Sequence, residues 1–138
     1  MNINTSITQH VVMSGDLNHH GTLYAGRCAE WFVESGFIAA ASLTRPENIV
    51  CLKIHGMVFS RPVHLGEIIC FHSRIVSVGR TRMIAFIETL VKTDVVISGF
   101  ITFIHVDAQG QPLPHGLTIE AVTDEERELQ ERARNLQE

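Results

Sequence analysis

The sequence predicts an α+β fold, one long helix followed by an antiparallel sheet. Residues 22–43 contain no proline, are rich in alanine and repeat apolar side chains at helical spacing. From Ile49 onward the pattern changes to four β-branched and aromatic runs, "NIVCLKIHGMVF", "EIICFHSRIVSV", "RMIAFIETLVKT" and "VVISGFITFIHV". The turn signals between them, "RPVHLG", "VGR" and "TD", are only a few residues long, and short connections favour antiparallel neighbours over parallel crossovers.

Each element follows in order. Residues 7–13 read as a short leading strand. The stretch 22–43 is long enough for about five to six helical turns. It cannot run far past Leu43, because Pro46 disfavours helical geometry at Arg45. The four runs then form an antiparallel meander, with the helix across its concave face. "DAQGQPLPHG" closes the sheet with loop chemistry. In "TDEERELQERARNLQE", Thr123 is the candidate N-cap of a surface helix with charges at i, i+4 spacing. The expected organisation is one domain over residues 1–120 and a charged helical tail over residues 121–138. A single helix leaves one edge and one face of such a sheet poorly covered, which predicts a homodimer or a higher homo-oligomer such as a tetramer or hexamer.

Composition narrows the function. At 138 residues the chain can bury one sizeable core, and 45% hydrophobic with 19% charged residues is an ordinary globular balance. A net charge of −4 argues against nucleic acid as a partner, since phosphate binding needs a clustered positive field. Cys28, Cys51 and Cys70 are an odd set without CxxC spacing, which fits free thiols in a reducing compartment. The first residues lack the basic and then apolar pattern of a secretion signal. The one apolar stretch of membrane length, residues 23–43, carries Arg27, Glu30 and Glu34, so no membrane span and a cytoplasmic location are expected. No His, Asp or Glu pair has metal-ligand spacing, so no metal is expected, and there is no Gly-x-Ser-x-Gly elbow.

The segment "GDLNHHGTLYAGRCAEWFVESGFIAAASL" poses the functional question, because it sets three charges inside the most apolar helix candidate, behind a polar turn. "DLNHHGTLYAGRCAEWF" followed by "GMVFSRPVHLGE" resembles the acyl-CoA thioesterase branch of the hot-dog fold superfamily. In that branch a polar Asn-x-x-Gly loop leads into a small-residue helix start, and a Phe-x-x-Pro-Val-x-x-Gly-Asp/Glu element follows. "FIHVDAQGQPLP" is similar to the branch's last strand and exit loop. The resemblance implies a hot-dog fold, with a long central helix wrapped by a five- to six-stranded antiparallel sheet. It also implies hydrolysis of an acyl-CoA by activated water, with coenzyme A entering as part of the substrate and no separate cofactor.

Carried over residue by residue, the family's loop Asn falls on Asn18, which would position the thioester or the attacking water. The family's Gly-Gly falls on Ala25 and Gly26, where a backbone N–H would polarise the thioester carbonyl. That task needs a free amide and no side chain, so Ala25 is tolerable, although small residues also permit plain helix-on-sheet packing. The sequence departs from the family at the general base, because Val33 occupies the usual acidic position and Glu34 the next. One step along a helix turns a side chain by about 100°. Arg27, Glu30 and Glu34 are therefore either a solvated, salt-bridged stripe or the surroundings of an acid, Glu34 or else Glu30, that activates water.

His20 is a candidate donor to a thioester or phosphate oxygen, whereas His19, His55 and His64 read as loop or structural residues and Cys28 as a packing thiol. Gly79, Arg80, Thr81 and Arg82 in "SVGRTRM", with Arg61 in "SRPV", are the candidate contacts for the phosphates of coenzyme A, since Arg offers bidentate geometry and a turn glycine admits the backbone. Two alternatives stay open. "LYAG" resembles the "LVAG"-like helix start of 3-aminoacyl-CoA ammonia lyases, and Val33 in place of an acid strengthens a lyase or hydratase reading. A non-catalytic acyl-CoA-binding protein is the third, weakened because the chain leaves no room for an output domain.

Overall fold

A computed structural model of the chain describes residues 1–136. Its elements are β1 (Thr5–Val11), α1 (Ala25–Ala41), β2 (Ile49–Ile54), β3 (Ile68–Val78), β4 (Arg82–Val91), β5 (Asp94–His105) and α2 (Asp124–Arg134), with short 3₁₀ turns at Ser14–Asp16 and Pro46–Asn48. The last two residues of the predicted tail, Gln137 and Glu138, lie outside the described residues.

The long helix starts later than its apolar run suggests. Leu23 and Thr22 are spent in short β-bridges to Leu17 and His64, and Tyr24 is an extended N-cap. At the other end the constraint from Pro46 holds, with Arg45 extended at φ −132° and ψ 138°. The face that α1 buries carries Cys28, Trp31, Phe32, Ser35, Gly36, Ala39 and Ala40. Gly36 sets the approach of helix to sheet, since a Cβ there would stand 3.1 Å from Ile87 Cδ1 and 3.2 Å from Phe103 Cε2.

All strand pairs are antiparallel, in the order β1-β3-β4-β5-β2. The expected four-stranded meander therefore holds only for β3, β4 and β5, and β2 pairs with β5 instead of β3. The reason lies in residues 55–67, where "RPVHLG" does not close a hairpin. Past Ile54 the chain stays extended beside β5, with His55 N–H donating to Phe100 O (2.9 Å) and Ser60 N–H to Val96 O (3.0 Å). Gly99 admits this segment: a Cβ there would be 2.5 Å from the Gly56 carbonyl oxygen. Residues 61–67 then cross the end of the sheet and reach the end of β1, where Gly66 N–H donates to Val12 O and Val12 N–H to Glu67 O, both at 2.9 Å.

Two surfaces follow from this order. On the outer face of the sheet, α2 packs Leu129 and Ala133 against Val76, Ile84, Phe86 and Phe100, and Arg132 lies 5.5 Å and 5.1 Å from the two Phe ring centroids. Thr123 caps that helix as expected, and Glu126 returns a bond to the Thr123 N–H to complete a capping box. At the sheet edge, β2 and the segment after it expose Val50, Leu52, Ile54, Val58 and Phe59.

Leu129 is 4% exposed at the centre of the α2 contact. Leu129→Ala should lower unfolding free energy by about 2–3 kcal/mol, as expected for a buried Leu truncated to Ala. Urea denaturation followed by circular dichroism measures it, and a loss under about 0.5 kcal/mol, typical of surface positions, would mean α2 adds little to the fold.

Candidate active site

The polar loop before α1 is built by two side chains that accept backbone bonds. Asp16 Oδ2 accepts the Met13 N–H (2.9 Å), and its Oδ1 stands 3.3 Å from Arg27 Nε. Asn18 Oδ1 accepts the N–H groups of His20 (2.9 Å) and Thr22 (3.2 Å), and its Nδ2 donates to Thr22 Oγ1 (3.0 Å). Gly21, at φ 80°, takes the left-handed conformation that closes this turn. The Asn18 amide carries a second N–H beyond the one it gives to Thr22.

The loop delivers the chain into a helix start with open donors. Tyr24 offers no side-chain cap, and both Arg27 N–H (3.0 Å) and Cys28 N–H (3.1 Å) go to the Tyr24 carbonyl. The N–H groups of Ala25 and Gly26 have no carbonyl one turn earlier to bond, and they stand at the positive end of the helix dipole. The Tyr24 ring lies over Gly26, where a Cβ would be 2.5 Å from Tyr24 Cε2. That ring is exposed and would have to turn aside for any larger residue at position 26.

A cavity of about 370 Å³ opens at this helix start. Asn18, Ala25 and Cys28 line one side, Arg61 and Val63 of the crossover another, and Ile97 of β5 the third. The crossover is fixed to the loop by Leu23 N–H donating to Val63 O (2.8 Å). Burial pushes the Cys28 thiol up to about 12, so it stays protonated at neutral pH and is no nucleophile. Glu67 is the opposite case: the His64 N–H, bound to its Oε1 at 2.8 Å, and then the Arg61 guanidinium hold its carboxyl below the usual carboxylate range.

The sequence-predicted residues separate into three places. Asn18, Ala25 and Arg61 meet at the cavity, with Gly26 next to Ala25 on the helix. His20 is exposed on the same loop, its ring 3.9 Å from that of His19. Glu34 lies elsewhere: its Oε1 is 3.4 Å from His10 Nε2 on β1, and the His10 ring stacks on Trp31 at 4.2 Å. The expected charge stripe therefore splits, with Arg27 turned to Asp16 and Glu30, and Glu34 turned to His10. Val33 packs against the core. Gly79, Arg80, Thr81 and Arg82 form the β3–β4 hairpin, closed by Gly79 N–H to Arg82 O (2.9 Å). Arg82 is opposite Ile104, seven residues along β5 from the cavity residue Ile97, which at strand rise is roughly 23 Å.

Sequence reasoning passed over Asp16, Tyr24 and Glu67. Asp16 had a signal, since an acid three residues past Met13 suits the N3 position of a capping box. His10, stacked parallel to Trp31, had none, because a strand residue meets a helix residue only in the folded chain. Among the described residues no group of three His, Cys, Asp or Glu side chains is placed to hold a metal ion, and no helix is long and apolar enough to cross a membrane.

Comparison with known proteins adds the following. Residues 20–98 match the model of a family described as the Thioesterase superfamily. The acyl-CoA thioester hydrolase YciA of Salmonella typhimurium is 26% identical over 120 residues, covering 78% of this chain and 87% of that protein. An uncharacterized acyl-CoA thioester hydrolase of Bacillus subtilis is 25% identical over 105 residues, covering 72% of this chain but only 60% of its own length. A crystal structure of a hexameric hotdog fold thioesterase of Campylobacter jejuni superposes with a TM-score of 0.70 at 26% identity, covering 90% of this chain and 94% of that one.

The site predicts a thiol that resists modification. At pH 8, iodoacetamide should label Cys28 no faster than the chain unfolds, because the thiol is 1% exposed and its thiolate is scarce. Peptide mass spectrometry reads the rate, and rapid labelling in the folded protein would mean that the cavity opens to Cys28.

Proposed function

The chain belongs to the thioesterase superfamily, and from that premise we propose that it hydrolyses acyl-CoA thioesters to the free acid and coenzyme A. The observation that supports this reading is the cavity at the start of α1, lined by Ala25 and Asn18. In this reading the thioester oxygen accepts from the Ala25 and Gly26 N–H groups, which favour the negative charge that grows on it as water adds. Asn18 orients the thioester or the water through its remaining N–H. A carboxylate takes the proton of the attacking water, the C–S bond of the tetrahedral intermediate breaks, and the thiolate of coenzyme A leaves and is protonated.

Glu34 is the proposed carboxylate. Within one chain it stands beside His10 and does not line the cavity with Asn18, so the acid that meets Asn18 in this scheme is Glu34 of the partner subunit. A homo-oligomer is proposed with it, supported by the apolar side chains along the unpartnered β2 edge. Gly79, Arg80, Thr81 and Arg82, with His20, are proposed for the phosphate-bearing end of coenzyme A. The separation of the hairpin from Asn18 along the sheet also calls for a substrate that crosses a subunit boundary. Free cysteines fit a cytoplasmic enzyme.

Incubation with a panel of acyl-CoAs, following thiol release and unsaturated products together, tests the reaction class. Thiol release is expected, and an enoyl product without it would favour a lyase. On the best substrate Glu34→Gln should lower turnover about 10²-fold or more, since the amide cannot accept the proton. Glu30→Gln should change it only a few-fold, and Asn18→Ala should slow turnover while coenzyme A still binds. A fully active Glu34→Gln enzyme would remove Glu34 from the chemistry.

The hairpin is tested separately. Replacing Arg80 and Arg82 together by Ala should raise KM for acyl-CoA, spare kcat and flatten the salt dependence of KM. Unchanged affinity for coenzyme A in a calorimetric titration would exclude the hairpin from binding.

A further inference from the structure

We propose that Arg61 is a positioning residue, a strut that braces the start of the crossover against its Glu67 end and ties it to the β4–β5 turn, and so holds the cavity wall against the start of α1. The proposal rests on the thioesterase reading of this cavity, and it gives Arg61 a role other than binding substrate phosphate.

The guanidinium is already engaged on three sides. Its Nη1 donates to Pro62 O (2.9 Å) and stands 3.5 Å from Glu67 Oε1, and its Nη2 stands 3.8 Å from Asp94 Oδ2. Two carboxylates face one cation, so the local charge balance is negative and repels a phosphate rather than attracting it. The two arms are unequal. Asp94 is 69% exposed and its arm is weakened by solvent, whereas Glu67 is 24% exposed and carries the stronger contact.

Glu67 is fixed in turn. Its Oε1 accepts the His64 N–H, its own N–H donates to His64 O, and its carbonyl accepts the Val12 N–H. These bonds close the turn at residues 64–67 and fasten it to the end of β1. The same His64 N–H keeps the carboxyl ionised, as the depressed titration of Glu67 indicates. Asp94 opens β5 directly after a turn in which Lys92 sits at φ 56°. Arg61 therefore braces the crossover against the end that Glu67 fastens beside β1, and joins it to the β4–β5 turn.

The consequence reaches the reacting atoms through backbone. Val63 is two residues from Arg61, and its carbonyl holds the Leu23 N–H. Leu23 is two residues before Ala25, whose N–H is proposed to polarise the thioester. A loose crossover moves that donor, and misplacement by about 1 Å is enough to cost up to 10²-fold in rate.

Charge and geometry make opposite forecasts, which gives the test. Arg61→Ala and Arg61→Lys should each lower kcat about tenfold or more while KM and its salt dependence stay within about twofold, because Lys keeps the charge but cannot span the three acceptors. Glu67→Gln should do the same although it makes the site more positive. The Arg61→Ala/Glu67→Gln double variant should be no slower than the slower single, and the two changes should be non-additive in thermal unfolding temperature. A raised KM with flattened salt dependence in Arg61→Ala, with Arg61→Lys and Glu67→Gln behaving as the unmodified protein, would make Arg61 a phosphate ligand and overturn the proposal. Additive losses in unfolding temperature would overturn it as well. Should the unmodified protein hydrolyse no acyl-CoA, the functional reading fails by itself, and the unfolding temperatures alone decide for or against the strut.

Discussion

The bond from Leu23 N–H to Val63 O, at 2.8 Å, joins the two halves of the molecule that make the cavity. On one side is the loop that feeds α1, and on the other is the crossover that brings the chain from β2 across the end of the sheet to β3. Neither half encloses a space alone. The crossover is possible because two glycines meet: Gly56 adopts φ 121°, and Gly99 leaves room for its carbonyl. Small residues on a distant strand thus decide where the mouth of the site lies. The β2–β5 pairing follows from the same path, since a chain that continues along β5 to Ser60 cannot turn back as a hairpin.

This dependence explains what was legible in the sequence. The long helix, the strand runs and the pre-proline stop at Arg45 are local properties, and each was readable from periodicity or backbone sterics. The strand order was not. The run "NIVCLKIHGMVF" looks like one strand with a turn behind it, and nothing local tells a hairpin from a crossover. What separates them is the contact of Gly56 with Gly99, forty-three positions later in the sequence. The α2 helix shows the same division. Its Thr123 cap was readable, whereas its seat on Phe86 and Phe100 depends on a face of the sheet that is defined only after folding.

The site divides in a related way. Asn18 and the pair Ala25–Gly26 come from the family resemblance, and the structure brings Asn18 and Ala25 to one cavity, with Asn18 closing a turn and Ala25 at a helix start whose donors are open. The acid could not be placed with the same security, because its task depends on side-chain direction. Glu34 follows Val33 by one residue, and that step carries it from the flank that meets the core to the flank that meets His10 and Trp31. Arg61 is intermediate. The sequence offers it only as a phosphate contact, and both its place in the cavity wall and its engagement with Glu67 and Asp94 depend on the crossover path.

The two halves of the proposed chemistry therefore tolerate change very differently. An N–H at the first positions of a helix exists whatever the side chain, provided that nothing caps it and nothing blocks approach. Here Tyr24 supplies no cap and Ala25 is small, although the Tyr24 ring lies over Gly26. Ala25 and Gly26 are exposed, so water serves their two open donors, and a carbonyl oxygen bound there replaces that water. That arrangement is preorganised, so it favours a developing negative charge without rearrangement during reaction. The proton acceptor has no such backbone counterpart. It must be a side chain at a distance fixed by helix rotation and subunit packing, and a one-residue shift along α1 exchanges its surroundings completely. A chain that holds the electrophilic half in its backbone can thus relocate its base without losing the fold, which is what the proposed scheme asks of Val33 and Glu34.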